Sequence, residues 1–140
     1  MYYNVDLLAI LAASIGSFIF SWFWYSPKIF GTVYRKLQPV ILYEDLSINR
    51  AKKVNRNASI LMFLTNMIQA SVLYFLVFIT RAGSVAQLMT IVFLTWAGFS
   101  LVNIIMDVMW KDISPKLIII DGFFSLFSSV LMMFILLLIL

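Results

Sequence analysis

The sequence contains no cysteine and no histidine among its 140 residues. These two absences exclude disulfide bonds, thiol catalysis, metal centres built on Cys or His ligands, and nucleophilic triads that need an imidazole base. Charged residues are also scarce, at 11% of the chain against roughly 25% in a typical soluble domain. The sequence therefore predicts neither an ordinary soluble domain nor a bound metal or cofactor.

Long apolar segments dominate the rest of the chain, which is 64% hydrophobic with a mean hydropathy of +1.04. A helix that crosses a bilayer needs about 20 mostly apolar residues. Four segments qualify, at about 5–25, 58–80, 85–110 and 116–140. The first segment has no basic residue before it, so we expect a retained helix and not a cleaved signal peptide. The predicted fold is all-α, a polytopic membrane protein with four transmembrane helices in one domain, 1–140.

Basic residues are concentrated on one side of these spans. Seven lie in the connection at about 26–57, Lys111 and Lys116 flank the last connection, and only Arg81 lies on the opposite side. The positive-inside rule places the basic side in the cytoplasm and both chain ends on the non-cytoplasmic side. The long connection is predicted to attract anionic lipid headgroups. Nucleic acid is not an expected partner, because topology alone accounts for this charge.

The long connection also shows helical periodicity. Apolar side chains recur opposite Lys28, Arg35 and Lys36, at Ile29, Phe30, Val33, Tyr34 and Leu37. This pattern predicts a short amphipathic helix in the membrane interface. We expect Pro39 to end this helix, and Glu44 and Asp45 to begin another that runs into the second span.

Small residues line one face of the first span. Ala9, Ala13 and Ser17 are four residues apart, with Gly16 beside them. In lipid, such a groove allows two helix backbones to approach closely. Two occupants are possible, another helix of the same bundle or a second copy of the chain.

Polar residues within the spans form a second pattern. Trp96, Ser100, Asn103 and Asp107 share one face if the third span is a continuous helix. A carboxylate in the bilayer costs roughly 2.5–3.5 kcal/mol and tends to face the bundle interior. We therefore predict a convergent polar cluster, made of Asn66, Gln69, Asn103, Asp107, Asp121 and Ser125. Either Asp107 and Asp121 pair with neighbouring lysines and lock the hairpin, or the cluster is a proton-titrating or ligand-binding pocket.

An aromatic turn follows the first span. Its residues of interest are Trp22, Trp24, Tyr25, Ser26, Pro27, Phe30 and Gly31. We predict that Trp22, Trp24 and Tyr25 form an interfacial belt. We also expect Pro27 to end the span, and Ser26 to cap the next helix with Pro27 at its first position.

This turn resembles the W-Y-S-P-x-x-F-G signature of a group of small bacterial four-helix membrane proteins, known as domain of unknown function 1761. An acidic pair in the first loop, an Asn late in the third span, and an acidic residue followed by Gly early in the fourth are similar to Glu44-Asp45, Asn103 and Asp121-Gly122. Tyr34 stands where a Trp is more usual. The resemblance implies four helices in a bacterial cytoplasmic membrane and implies no reaction.

These features bear on three classes of function. The favoured hypothesis is an accessory or scaffold subunit without catalytic activity, packed against other membrane protein subunits or against copies of itself. The alternative is a small oligomeric transporter or channel, proton-linked through Asp107 and Asp121. Intramembrane enzymes fit worst, because the residues around Asp121 lack the motifs that alcohol phosphotransferases and aspartyl proteases require. We expect no enzyme.

Overall fold

The computed structural model describes residues 6–37 and 48–140, with side chains described for 6–37 and 56–140. These residues form helices and no strand, which confirms the all-α prediction. The helices are α1 (Leu7–Trp24), α2 (Gly31–Leu37), α3 (Ile48–Thr80), α4 (Val85–Thr95), α5 (Val102–Lys111) and α6 (Lys116–Ile139). A π-helical segment, Trp96–Leu101, joins α4 to α5.

Four helical spans are long and apolar enough to cross a membrane, as predicted. They are α1, the Arg56–Thr80 part of α3, the continuous Val85–Lys111 stretch, and α6. Because α3 already begins at Ile48, a polar helical segment precedes the second span without a break. The expected helix end at Pro39 and helix start at Glu44 and Asp45 lie outside the described residues.

Short-range hydrogen bonds and left-handed residues define several helix ends. The Asp6 carboxylate accepts a hydrogen bond from the Ala9 amide at 3.1 Å and caps α1. The Ser84 hydroxyl accepts one from the Gln87 amide at 3.3 Å and caps α4. Asp112 ends α5 in the left-handed conformation, with φ 49°. Consecutive spans are therefore joined by tight hairpins after α3 and α5.

Helix α6 lies at the centre of the bundle and packs most extensively on α1, which also packs on α3. Ala9, Ala13 and Ser17 of α1 are completely buried, and a Cβ added at Gly16 would overlap the tip of Ile135 in α6. The predicted groove is thus filled by helices of the same chain. Small side chains here allow the close backbone approach on which helix packing in lipid depends.

Candidate functional site

Backbone hydrogen bonds organise the aromatic turn between α1 and α2. The Ser26 carbonyl accepts from the amides of Ile29 at 3.0 Å and Gly31 at 2.9 Å. The Pro27 carbonyl accepts from the Thr32 hydroxyl at 3.0 Å. The expectation that the next helix starts at Pro27 is therefore wrong, since a full turn separates Ser26 from the first residue of α2. Ser26 contributes its carbonyl to this turn.

Gly31 begins α2 at a point where there is no room for a side chain. It is buried, and a Cβ placed on it would overlap the Tyr25 carbonyl oxygen and lie 2.7 Å from the Ser26 carbonyl carbon. Both neighbours are backbone atoms of the same turn, so they have little freedom to move away. A glycine is needed here because the chain folds back on itself.

Tyr25 connects this turn to α6. Its hydroxyl donates a hydrogen bond to Asp121 Oδ1 at 2.6 Å, and both side chains are half-buried. Its ring lies against Tyr34 of α2 and Phe124 of α6, with centroids 4.9 Å away in each case. Burial raises the pKa of the Tyr25 hydroxyl and the nearby Asp121 carboxylate raises it further, so the phenol remains a donor.

Trp24 also points inward, toward a group of aromatic rings. Its ring centroid lies 4.6 Å from that of Phe30 and 6.0 Å from that of Phe127. The indole Nε1 is buried without a hydrogen-bond partner in the described part of the chain. Trp22, by contrast, is 67% exposed. Of the three residues assigned to an interfacial belt, Trp22 therefore faces outward, whereas Trp24 and Tyr25 attach the turn to the bundle.

A second connection to α6 comes from the π-helical segment. Trp96 Nε1 donates to the Gly122 carbonyl and to Ser125 Oγ, both at 2.9 Å. The Ser125 hydroxyl in turn donates to the Gly122 carbonyl at 2.9 Å. Ser125, which lies one turn after Asp121 on α6, thus faces Trp96 of the third span.

The third connection comes from α3. Gln69 Nε2 donates to Ser129 Oγ at 2.8 Å, and the Ser129 hydroxyl donates to the Ser125 carbonyl at 2.8 Å. Asn66, one turn before Gln69, is 8% exposed, and its Nδ2 has no hydrogen-bond partner among the described residues. Four members of the predicted cluster, on α3 and α6, therefore lie against the bundle interior.

Asn103 and Asp107 do not join this cluster, contrary to the geometry assumed for a continuous helix. Both side chains are exposed, and Asp107 forms an ion pair with Lys111 at 3.2 Å. The π-helical segment explains the difference. It adds about one residue to a turn, and one residue corresponds to a rotation of roughly 100°. Trp96 therefore faces α6, while Asn103 and Asp107 point outward.

These contacts together attach each of the other spans to α6 by polar side chains. Ser17 and Ser128 share a hydrogen bond that gives α1 a second attachment, deeper in the bundle. Sequence reasoning missed Phe124 and placed Ser129 only at the edge of the polar stripe of the fourth span, although each lies one turn of α6 beyond a predicted cluster member. No three acidic side chains lie close enough together to hold a metal ion within the described ranges. The arrangement joins helices through matched donors and acceptors, with Trp24 Nε1 and Asn66 Nδ2 as the buried donors that lack an acceptor among the described residues.

Comparison with known proteins gives one match. The model of the family described as "Protein of unknown function (DUF1761)" matches residues 8–137. The chain belongs to this family. The DUF1761 match includes the four spans and the aromatic turn, so it agrees with the resemblance found in the sequence. No curated protein and no solved structure matches the chain.

Proposed function

We propose that this DUF1761 protein is a non-enzymatic integral membrane protein, which works as an accessory or scaffold subunit by packing against other membrane protein chains. The proposal rests on the unequal burial of the four spans within the bundle. Among the residues of the apolar window in Val85–Lys111, 11% are buried, against 17% in Arg56–Thr80 and 33% in α1 and in α6. The third span is thus the least covered of the four, and the second span is the next.

The interior contacts support a structural role for the buried polar groups. Asp121 accepts from Tyr25, and Gln69 donates to Ser129, so these groups already have partners within the chain. Interhelical hydrogen bonds of this kind stabilise a membrane bundle by about 0.6 kcal/mol on average and up to about 1.7 kcal/mol. A bundle that pairs these polar groups internally and leaves its second and third spans poorly covered suits a subunit that presents a surface.

The alternative, proton-linked transport through Asp107 and Asp121, receives less support. The transport hypothesis needs both carboxylates in one cluster, whereas Asp107 is exposed and paired with Lys111. Proton flux into liposomes would revive this alternative if it occurred with the purified chain and were lost in both Asp107→Asn and Asp121→Asn variants.

We also propose that both chain ends lie on the non-cytoplasmic side of a bacterial cytoplasmic membrane, with the basic loop against anionic lipids. The charge distribution supports this orientation, since Arg35 and Lys36 of α2 are exposed. A membrane-impermeant maleimide applied to intact cells should label Gly83→Cys and leave Lys36→Cys unlabelled. The reverse labelling would contradict the orientation.

Photo-crosslinking in native membranes tests the subunit role. A photoreactive amino acid at Phe99, which is 71% exposed in the third span, should capture a different membrane protein. The matched control is Leu8 of α1, which is 70% exposed. Mass spectrometry should identify a stoichiometric partner from the first site and not from the second. A chain that yields lipid adducts alone at both sites would contradict the proposal.

A further inference from the structure

The π-helical segment decides which residues of the later third span face α6. The inner side, which is buried or partly buried, consists of Leu101, Ile104 and Val108. One residue earlier, the same spacing recurs in a polar side, made of Ser100, Asn103 and Asp107. A helix without the extra π-helical residue would turn this part of the span by roughly 100° and bring the polar side to the inner position. The third span thus contains two complete faces for one neighbour.

The polar side has few partners in its outward position. Asn103 precedes Lys111 by eight residues, about 12 Å along the helix axis, which places its amide inside a hydrocarbon layer whose half-thickness is roughly 15 Å. Neither Asn103 nor Ser100 forms a hydrogen bond with any described residue. By contrast, the hydroxyls of Thr65 and Thr90 each donate to a carbonyl of their own helix at 2.8 Å. An unpaired amide in lipid is unfavourable, because hydrocarbon offers no hydrogen-bond partner.

An exchange of the two sides would cost little in apolar burial. Lipid tails are as apolar as the bundle interior, so Leu101, Ile104 and Val108 can face either environment. The ion pair between Asp107 and Lys111 lies within α5 and would turn with this helix unbroken. The outward position of Asn103 is therefore not enforced by a large loss of hydrophobic contact or of charge pairing.

An acceptor for Asn103 exists on α6 at a similar depth. Leu101 lies opposite Gly122, since a Cβ added at Gly122 would be 3.6 Å from the Leu101 Cδ1 atom. The third and fourth spans form a hairpin, so Asn103 lies about 3 Å closer to the connection, near the depth of Asp121. Asp121 accepts from Tyr25 through Oδ1, and its Oδ2 accepts from no donor among the described residues. Asn103 would gain this acceptor by turning inward.

We propose that the third span has a second rotational state, in which the π-helical segment becomes α-helical and the polar side faces α6, with Asn103 opposite Asp121. The segment holds the one extra residue that such a change needs, and a Cβ added at Gly98 in its middle would meet no atom within 4 Å. The non-helical connection 112–115 absorbs the rotation and the advance of α5 by one residue. This movement occurs within one chain, goes beyond the subunit role and does not depend on it.

Because the chain has no cysteine, pairs of introduced cysteines can report each state. In native membranes, mild oxidation should link Leu101→Cys with Gly122→Cys in the first state and Ser100→Cys with Gly122→Cys in the second. The matched control is Phe99→Cys with Gly122→Cys, which should stay unlinked, because residue 99 is 71% exposed and belongs to neither side. Deletion of Gly98 removes the extra residue. It should therefore abolish the Ser100 link and preserve the Leu101 link.

A substitution on the polar side tests what favours the second state. Asn103→Leu should slow formation of the Ser100 link by about 3- to 20-fold, as expected for the loss of one interhelical hydrogen bond. Asn103→Gln keeps the amide and should retain most of the rate. The Leu101 link should form at least as fast in Asn103→Leu as in the chain that keeps Asn103.

Spin labels measure the same equilibrium without a covalent link. Met106→Cys on α5 and Ile119→Cys on α6 carry the labels at exposed positions. A rotation of roughly 100° moves a label on the helix surface by up to about 8 Å. The purified chain in lipid nanodiscs should therefore give two distances, and deletion of Gly98 should leave one.

Four results would overturn the second state. The Leu101 link without the Ser100 link would mean a single orientation, as would one distance between the spin labels. A Ser100 link that survives deletion of Gly98, or a Phe99 link of equal rate, would mean general mobility of the helix. An unchanged Ser100 link in Asn103→Leu would show that the polar side does not stabilise this state.

Discussion

The contact between Tyr25 and Asp121 gives the sharpest test of how this bundle is held together. Its 2.6 Å length is typical of a charge-assisted hydrogen bond between a hydroxyl and a carboxylate. Hydrogen bonds to charged groups contribute about 1.5–3 kcal/mol in proteins, whereas interhelical bonds in membranes average about 0.6 kcal/mol. Because both side chains are half-buried, we expect a coupling free energy of about 1–2 kcal/mol between the two residues.

A double-mutant cycle with Tyr25→Phe and Asp121→Ala measures this coupling. Tyr25→Phe removes the hydroxyl and keeps the ring against Tyr34 and Phe124, so the lost stability should come from the hydrogen bond. The free energy of unfolding is obtained by titrating micelles with a denaturing detergent and following tryptophan fluorescence. Tyr25→Phe should destabilise the native chain by about 1–2 kcal/mol and should have little effect once Asp121 is replaced.

The control for this cycle is Trp22→Phe, which changes an exposed aromatic residue three positions earlier and should alter stability by less than about 0.5 kcal/mol. Additive effects of Tyr25→Phe and Asp121→Ala, within about 0.5 kcal/mol, would refute the reasoning. In that case the aromatic packing of the turn, and not the hydrogen bond, would join α1 to α6.

Two further substitutions test other contacts in the same unfolding assay. Gly31→Ala should destabilise the bundle by about 1–3 kcal/mol, because the new Cβ meets backbone atoms, whereas Gly98→Ala, which has open space around it, should be neutral or stabilising. Equal effects of the two would contradict the close approach at Gly31. Trp96→Phe should cost about 1 kcal/mol through loss of its bond to the Gly122 carbonyl, and the exposed Trp110→Phe should cost less than about 0.5 kcal/mol. A neutral Trp96→Phe variant would show that this hydrogen bond does not stabilise the fold.

The parts of the structure that depend on apolar run length could be predicted from the sequence. The four apolar segments are helical spans in the structure, because a segment that crosses a bilayer needs about 20 apolar residues and must pair its own backbone groups. The spacing of Ala9, Ala13 and Ser17 predicts a packing face, and all three side chains are completely buried. The sequence leaves the occupant of this face open, because spacing within one helix contains no information about which neighbour fills it.

Predictions that depended on helix phase or on the path of a turn were less successful. The prediction that Asn103 and Asp107 join Asp121 assumes a uniform rotation of about 100° per residue, which the π-helical segment interrupts. No strong local signal marks this segment, apart from Gly98 in its middle. The belt predicted for Trp24 and Tyr25 rests on the preference of aromatic residues near a span end for the interface. Their inward orientation depends on the turn geometry that Gly31 permits, which composition does not reveal.

The central position of α6 also has a consequence for the order of assembly. The spans are synthesised from the N-terminus, so α1 enters the membrane before α6, yet its partners Ser128 and Asp121 belong to α6, the fourth of the four spans. Until then, α1 can pack against α3, and Tyr25 lacks its acceptor on Asp121. We expect the native bundle to form late and cooperatively, and a chain truncated before α6 to remain a loose intermediate exposed to membrane proteases.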